Sequence, residues 1–185
     1  MSWHIVSLAQ TPPSPWRNGG GVTRELAAWP DAQHWRWRLS VAEVTRSGPF
    51  SRFDGVQRWF AVLAGAGVRL TLDGTTHELD RHSAPFAFDG AAGVECDLLC
   101  GATQDFNLML RGAGVARMQR LSGASSHVLE RRTSVALYAV DASATLGLGA
   151  QYSLLPAHSL AWCELPVGSQ VQVQASNALW MEIEP

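Results

Sequence analysis

The chain has 185 residues, 46% of them hydrophobic, and a formal net charge of -2 at neutral pH. This length suffices for one sizeable core or two smaller ones. The chain contains no block of like charges that could hold a nucleic-acid backbone, and none of its apolar runs approaches the length of a membrane span. The N-terminal stretch does not resemble a secretion signal. We therefore predict a soluble cytoplasmic protein whose partners include neither nucleic acid nor membrane.

The first unusual segment is the run from Trp16 to Glu25, which contains three consecutive glycines at positions 19–21. Glycines lose much backbone entropy on folding and add no side chain to a core. A run of three therefore indicates a backbone that turns sharply or is approached closely. The run lacks the Gly-Lys-Ser/Thr ending of a P-loop, so we read it as the mouth of a binding site that does not hold a nucleotide.

The rest of the chain alternates short apolar segments with glycine-rich turns, which is the pattern of an all-β protein. Asp73-Gly74 marks a tight hairpin between two of these segments. The predicted strands cover residues 35–42, 58–63, 67–72, 93–100 and 105–111.

An internal repeat divides the chain into two similar parts. Moving the sequence by about 76 positions places Leu70 on Leu146, Leu79 on Leu155 and His82 on His158. The repeat predicts a bicupin fold, with two jelly-roll-like β-barrels in one compact unit. We expect an N-terminal barrel at residues 1–112, which carries the pocket, and a mainly structural C-terminal barrel at 113–185. The two could also form a single fused domain, and the Gly-, Ala- and Ser-rich residues 112–126 are the expected connection.

Several kinds of chemistry lack the residues that they require. The histidines occur singly, and His77 and His82 would point to opposite faces of a shared strand, so we predict no metal and no cofactor. No Gly-x-Ser-x-Gly element is present, and we assign no catalytic residue. Three cysteines are too few for a disulfide framework, and we expect Cys96, Cys100 and Cys163 to be core residues.

Polar side chains on strand faces are the remaining candidates for a site. Arg38 and Ser40 alternate with Arg36 on one face of their strand, and Asn107 alternates with Asp105 on another. A buried arginine needs an anion or several acceptors, and a small carboxylate held by the guanidinium fork would satisfy it. Other partners are equally open, because Arg38 could pair with Asp105 or Glu43, and Arg24 could pair with Glu25 at the surface.

Several blocks of the chain resemble the HutD/Ves family in sequence and in order. They are Trp16–Glu25, Trp37–Ala42, Gly48–Gly55, Leu63–Gly65, Pro85–Phe88 and Asp105–Met109. The triple glycine resembles the HutD form rather than the Ves form. The resemblance implies a bicupin fold and a role in tuning histidine catabolism. It also implies urocanate or formylglutamate as the ligand, and a regulator or enzyme of histidine utilisation as a protein partner.

Together, the residues and the resemblance give a candidate site for a small anionic metabolite. The predicted ligand-binding residues are Arg38, Ser40, Arg58 and Asn107 in the wall, Phe50 and Ser51 at the lip, and Asn18 and Arg24 near the mouth. A shift of one residue in the register of its strand would place Arg58 on the other side of the sheet.

Three functions fit this sequence. The first is a non-enzymatic carboxylate-binding protein that senses a metabolite. The second is a metal-independent isomerase or hydrolase with Asp105 or Glu43 as general base. The third is a protein interaction module whose pocket is vestigial. Exposed strand edges would also permit a homodimer.

Overall fold

Short β-strands joined by tight turns make up nearly all of the regular structure. The computed structural model describes residues 2–184, and within that range the one helical element is the 3₁₀ turn Leu8–Gln10. The all-β expectation is therefore confirmed. The strands in chain order are β1 (His4–Ser7), β2 (Ser14–Pro15), β3 (Gly21–Trp29), β4 (Trp37–Val44), β5 (Gly48–Pro49), β6 (Val56–Ala64), β7 (Val68–Leu72), β8 (Thr75–Leu79), β9 (Phe86–Asp89), β10 (Val94–Leu98), β11 (Thr103–Arg111), β12 (Val115–Val128), β13 (Thr133–Ala139), β14 (Ala144–Leu148), β15 (Gln151–Leu155), β16 (Ser159–Leu165) and β17 (Gln170–Glu184).

The first barrel comprises residues 11–113 and is built from two antiparallel sheets. One has the strand order β2-β3-β4-β11-β6-β9, and the other has the order β5-β10-β7-β8. Their apolar core includes Phe60, Val62, Leu70 and Cys96, each at most 1% exposed. Burial of a large apolar side chain contributes about 1.5–3 kcal/mol, so this core can hold the sheets in place while other inward positions are polar.

The register of β4, β11 and β6 determines which polar side chains enter the first barrel. Met109 on β11 lies opposite Arg38 on β4 and Arg58 on β6, and Asn107 lies opposite Ser40. Because successive residues of a strand point to opposite faces, these five side chains share one face of the sheet. Arg36, which was expected beside them, precedes the start of β4 and is exposed.

The second barrel comprises the described residues 2–10 and 114–184. Its strand order is β1-β16-β13-β17-β14-β15, and β12 pairs along β17. Because β1 pairs with β16, the N-terminal segment belongs to this unit and not to the first barrel, where the sequence boundary placed it. Cys163 is buried in this unit and Cys96 in the first, but Cys100 is exposed after β10, contrary to expectation.

Residues 112–126, which were expected to connect the barrels, mostly belong to β12. Ala116 and Met118 are buried whereas Val115 and Arg117 are exposed, which is the alternation of a half-buried strand. Pairing with β17 runs along most of this segment, from Val115 onward, and overrides the weak β preference of its small residues. The connection between β11 and β12 is therefore confined to residues 112–114.

The internal repeat corresponds to repeated hairpins. In the first barrel β7 and β8 close with Leu72 opposite Thr75, and in the second barrel β14 and β15 close with Leu148 opposite Gln151. All four strands have five residues, and both connections are two-residue turns of the type that favours tight hairpins. These matched elements support the bicupin architecture predicted from the sequence.

Candidate functional site

A pocket of about 740 Å³ opens into the first barrel, and we call it the first-barrel pocket. Its volume lies in the range of small-molecule sites. Glu25 is its one acidic lining residue, whereas four lining residues are arginines: Arg17, Arg38, Arg52 and Arg58. The lining therefore favours an anion. All but one of the predicted site residues line it, namely Asn18, Arg38, Ser40, Phe50, Ser51, Arg58 and Asn107.

Arg58 is the most deeply buried cation of this pocket, at 7% exposed. Its Nη2 donates to Asn107 Oδ1 at 3.0 Å and its Nη1 to the Ser51 carbonyl at 3.3 Å, but its Nε has no partner among the residues that the structure describes. No carboxylate within residues 2–184 forms an ion pair with it. Burial, together with the charge of Arg38, lowers the pKa of Arg58 to about 10. Arg58 is thus a buried positive charge held by neutral acceptors.

Aromatic rings replace part of the solvation that the Arg58 guanidinium loses. Its central carbon lies 4.9 Å from the ring centre of Phe88, 5.4 Å from that of Phe50 and 5.7 Å from that of Phe53. Each contact of this kind contributes about 0.5–2 kcal/mol. The rings hold the charge in place without neutralising it.

Arg38 is the second cation of the wall and is less buried than Arg58. Its Nη2 contacts Met109 Sδ at 3.2 Å, and its Nη1 lies 3.7 Å from Glu25 Oε2. The sequence left Asp105 and Glu43 open as ion-pair partners of Arg38, but in the structure the partner is Glu25. Burial lowers the pKa of Arg38, and Glu25 partly offsets this effect.

The two guanidinium groups converge on one aromatic ring. The central carbon of Arg38 lies 5.9 Å from the ring centre of Phe53, a distance close to that of Arg58. Both arginines also lie opposite Met109 in the sheet register. This arrangement places two positive charges near one another in a single pocket, which suits a carboxylate or another compact anion.

The mouth of the pocket is formed by the glycine-rich turn after β2. Gly19 has a φ of 67°, and the Asn18 side chain accepts a hydrogen bond from the Gly20 amide at 3.0 Å. Gly21 begins β3, and a Cβ atom there would lie 2.3 Å from the Glu43 carbonyl oxygen. The triple glycine therefore reflects a sharp turn at Gly19 and a close backbone approach at Gly21.

We expect Gly21→Ala to destabilise the protein by about 2–4 kcal/mol, because β3 and β4 must separate to admit the methyl group. Urea unfolding would measure the loss. Gly74→Ala is a suitable comparison, since its positive φ causes strain but no atom lies within 4 Å of the added carbon. Equal losses in the two variants would contradict the close-approach interpretation.

Arg24 is the predicted site residue that the structure places elsewhere. It points to the outer face of the sheet and forms an ion pair with Glu43, whereas its neighbours Thr23 and Glu25 line the pocket. The alternation of β3 explains this result, because adjacent residues cannot share a face. The expected surface pair between Arg24 and Glu25 is likewise absent, since each pairs with a residue of β4.

Glu25, Phe53 and Met109 are pocket residues that sequence reasoning did not select. The spacing of two residues places Thr23 and Glu25 on the same face of β3. The sequence does not show which face of that strand points inward, so neither residue was selected. Phe53 lies in an irregular segment before β6, where no periodicity indicates its direction.

Asp105 lies on the inward face of β11 but does not line the pocket. It is fully buried, its Oδ2 accepts a hydrogen bond from Thr103 at 2.8 Å, and its Oδ1 has no partner within the described part of the chain. Burial raises the pKa of this carboxyl to about 7.

The second barrel presents different side chains at the corresponding strands. There β17 lies between β12 and β13, as β11 lies between β4 and β6. Its core positions Val135, Leu137 and Trp180 are apolar and at most 1% exposed. A cavity of about 460 Å³ in this barrel is lined by neutral residues such as Tyr152 and Gln172. Of these two cavities, only the first-barrel pocket is lined by charged residues.

Within residues 2–184, no three His, Cys, Asp or Glu side chains form a group able to hold a metal ion. No helix in the described chain is long and apolar enough to cross a membrane.

Similarity to solved structures extends over the whole fold. An oxalate decarboxylase variant from Bacillus subtilis superimposes with a TM-score of 0.66 at 10% identity, covering 100% of this chain and 77% of that chain. At this identity the similarity shows the cupin fold alone. HutD from Pseudomonas fluorescens SBW25, determined in a formate condition, superimposes with a TM-score of 0.86 at 29% identity, covering 99% of this chain and 98% of that chain.

Sequence relatives point to the same family as this HutD structure. The uncharacterised 21.2 kDa protein in the hutC 3′ region of Pseudomonas putida is 37% identical over 140 residues, which are 74% of this chain and 73% of the relative. Protein Ves of Citrobacter koseri is 39% identical over 107 residues, 56% of each chain. The HutD family model matches residues 8–181. This match covers nearly the whole sequence, and the chain belongs to the HutD family.

Proposed function

We propose that the chain binds a small carboxylate in the first-barrel pocket and, without converting it, adjusts histidine catabolism to the concentration of that metabolite. The observation that carries the proposal is Arg58, which is 7% exposed and whose guanidinium has only neutral hydrogen-bond acceptors among residues 2–184. An uncompensated buried charge is costly, and an anion that enters beside it removes much of that cost.

Two positive charges make a carboxylate the best-matched ligand. The Nη groups of Arg58 and Arg38 offer several N–H donors, and a carboxylate oxygen forms short, strong hydrogen bonds with such groups. The apolar rings around them would exclude water from the contact and so strengthen it. Asn107 fixes the Arg58 guanidinium at 3.0 Å, which limits the entropy lost when the ligand binds.

Urocanate and formylglutamate are the metabolites that we propose as ligands. Both are small carboxylates of the histidine-utilisation route to which the HutD family name refers. A pocket of about 740 Å³ accommodates either one. A regulator or an enzyme of that route is the protein partner that would respond to the bound state.

Catalysis has less support than binding. Of the two carboxylates considered as general bases, Glu43 lies on the outer face in an ion pair with Arg24, and Asp105 does not line the pocket. A general base must come within hydrogen-bonding distance of the proton that it removes. Neither position supports that role.

Calorimetric titration of the purified protein with urocanate, formylglutamate, glutamate and histidine tests the proposal. We expect one carboxylate to bind with a Kd of about 1–100 μM and to remain unconverted on overnight incubation, as checked by NMR. Arg38→Ala should weaken binding about tenfold or more, because one charge-assisted contact is lost. Arg24→Ala is the matched control and should leave the Kd unchanged, since Arg24 points away from the pocket.

Two results would contradict this proposal. Absence of heat with all four compounds at millimolar concentration would favour the interaction-module alternative. Consumption of a bound compound would favour the enzyme alternative.

A further inference from the structure

Glu25 is an unexpected residue in a pocket that favours anions. It is the one acidic side chain in the lining, and its side chain is 36% exposed. Two unit charges 4 Å apart interact by about 4 kcal/mol near a protein surface, so an anion bound at Arg38 would be repelled by Glu25. A pocket selected for carboxylate affinity alone would be better without this residue.

The backbone directs Glu25 into the pocket. The register between β3 and β4 shifts between Glu25 and Ala27, which is a β-bulge, and Glu25 lies opposite the buried Ser40. Thr23, two residues earlier, lies opposite Ala42 and also lines the pocket, so Glu25 keeps the alternation of the strand. The inward direction of Glu25 is therefore set by the strand pairing and not by the ion pair alone.

Arg38 does not use the hydrogen-bonding capacity of Glu25. The distance of 3.7 Å between Arg38 Nη1 and Glu25 Oε2 is too long for a hydrogen bond, and Arg38 Nη2 is directed at Met109 Sδ. The Glu25 carboxylate thus retains acceptor positions at the pocket wall. A ligand group that donates a hydrogen bond would use these positions and offset the repulsion.

We propose that Glu25 accepts a hydrogen bond from an N–H group of the ligand, so that the pocket selects carboxylates that also carry an N–H donor. The inference rests on the proposed function, because it presumes that the carboxylate binds beside Arg58 and Arg38. It makes Glu25 a specificity residue, with Arg58 supplying affinity for the anion and Glu25 discriminating among anions.

Matched ligands that differ only in the donor test this inference. Urocanate is paired with 3-(oxazol-4-yl)acrylate, in which a ring oxygen replaces the N–H and the second ring nitrogen is kept. N-formylglutamate is paired with 2-formyloxyglutarate, in which an ester oxygen replaces the N–H. Calorimetry on the wild type should show about tenfold tighter binding of the N–H member in at least one pair, as expected for a hydrogen bond to a charged acceptor.

The Glu25→Gln substitution should change the binding affinities of the two members of each pair in opposite directions. The N–H compound should bind several-fold more weakly because its charged acceptor is lost, and the oxygen compound should bind several-fold more tightly because the repulsion is lost. Glu78→Gln is the control, since Glu78 pairs with Arg69 on the other sheet and does not line the pocket. It should change neither Kd.

The outcomes separate this inference from the proposed function. Equal binding of both members by the wild type would overturn the selectivity while leaving carboxylate binding intact. A shift of both members in the same direction in Glu25→Gln would show that Glu25 only positions Arg38 or repels anions, which also overturns it. Failure of all four compounds to bind would refute the proposed function, and this inference with it.

Discussion

Replacing Arg58 with methionine is expected to abolish carboxylate binding while leaving the stability of the unliganded protein within about 1 kcal/mol of the wild type. Loss of a buried charged partner typically costs about 2–5 kcal/mol of binding free energy, which corresponds to a Kd raised by about thirtyfold to several thousandfold. No second cation is equally buried in the pocket, because Arg38 retains a partly exposed side chain.

The expected change in stability is small because the substitution removes an unfavourable desolvation of the charge and also removes favourable contacts. Burial lowers the pKa of Arg58 from 12.5 to about 10, equivalent to about 3 kcal/mol of unfavourable desolvation that methionine does not suffer. Against this, the variant loses the hydrogen bond to Asn107, worth about 1 kcal/mol. It also loses the contacts with three aromatic rings, worth about 1–3 kcal/mol jointly because rings that share one cation do not contribute additively. Methionine fills most of the vacated volume because its side chain is flexible and unbranched.

Urea unfolding and calorimetry on the same preparations measure both parts of this prediction. Arg69→Met is the control, since Arg69 is an exposed arginine paired with Glu78 outside the pocket. If Arg58→Met lost more than about 3 kcal/mol of stability, Arg58 would be a structural residue and the charge argument would fail. A variant that still bound the carboxylate with unchanged Kd would contradict the assignment of the anion site.

Much of the first barrel could be predicted because its signals are local. A period of two identified the shared face of Arg38 and Ser40, and Asp73-Gly74 identified a hairpin without reference to the rest of the chain. The repeat then extended this interpretation to the second barrel. Features of this kind depend only on neighbouring residues, so the sequence contains the necessary information.

The errors occurred where long-range pairing decides the outcome. Arg24 was expected at the mouth, but the face on which it lies follows from the pairing of β3 with β4, which sequence alone does not reveal. Residues 112–126 have the composition of a loop, yet pairing with β17 makes most of them a strand. The inward direction of Glu25 is likewise fixed by the pairing of β3 with β4, and so the proposed specificity residue was not anticipated.

Asp105→Asn is expected to remove a pH dependence of stability that the wild type shows between about pH 4 and pH 7. The Asp105 pKa is raised from 3.8 to about 7 by burial, so over this interval the folded protein holds a proton that the unfolded chain releases. Stability is therefore fully present below about pH 4, falls as the pH rises, and levels off above about pH 7. A shift of this size corresponds to about 4 kcal/mol.

The difference between the wild type and Asp105→Asn isolates this carboxyl from all other titrating groups. At about pH 8 asparagine should be more stable than the ionised aspartate by about 2–3 kcal/mol, because it avoids a buried charge but leaves an amide donor poorly satisfied. At about pH 4 the variant should instead be less stable than the wild type by about 1–2 kcal/mol, because the poorly satisfied amide remains while the aspartate is neutral, and the two differences add to the expected change of about 4 kcal/mol. Carboxylate binding should persist in the variant, since Asp105 does not line the pocket.

Parallel stability curves for the two proteins, measured by urea unfolding across this range, would contradict the assignment of the proton to Asp105. Loss of binding at full stability would instead connect Asp105 to the site and favour the enzyme alternative.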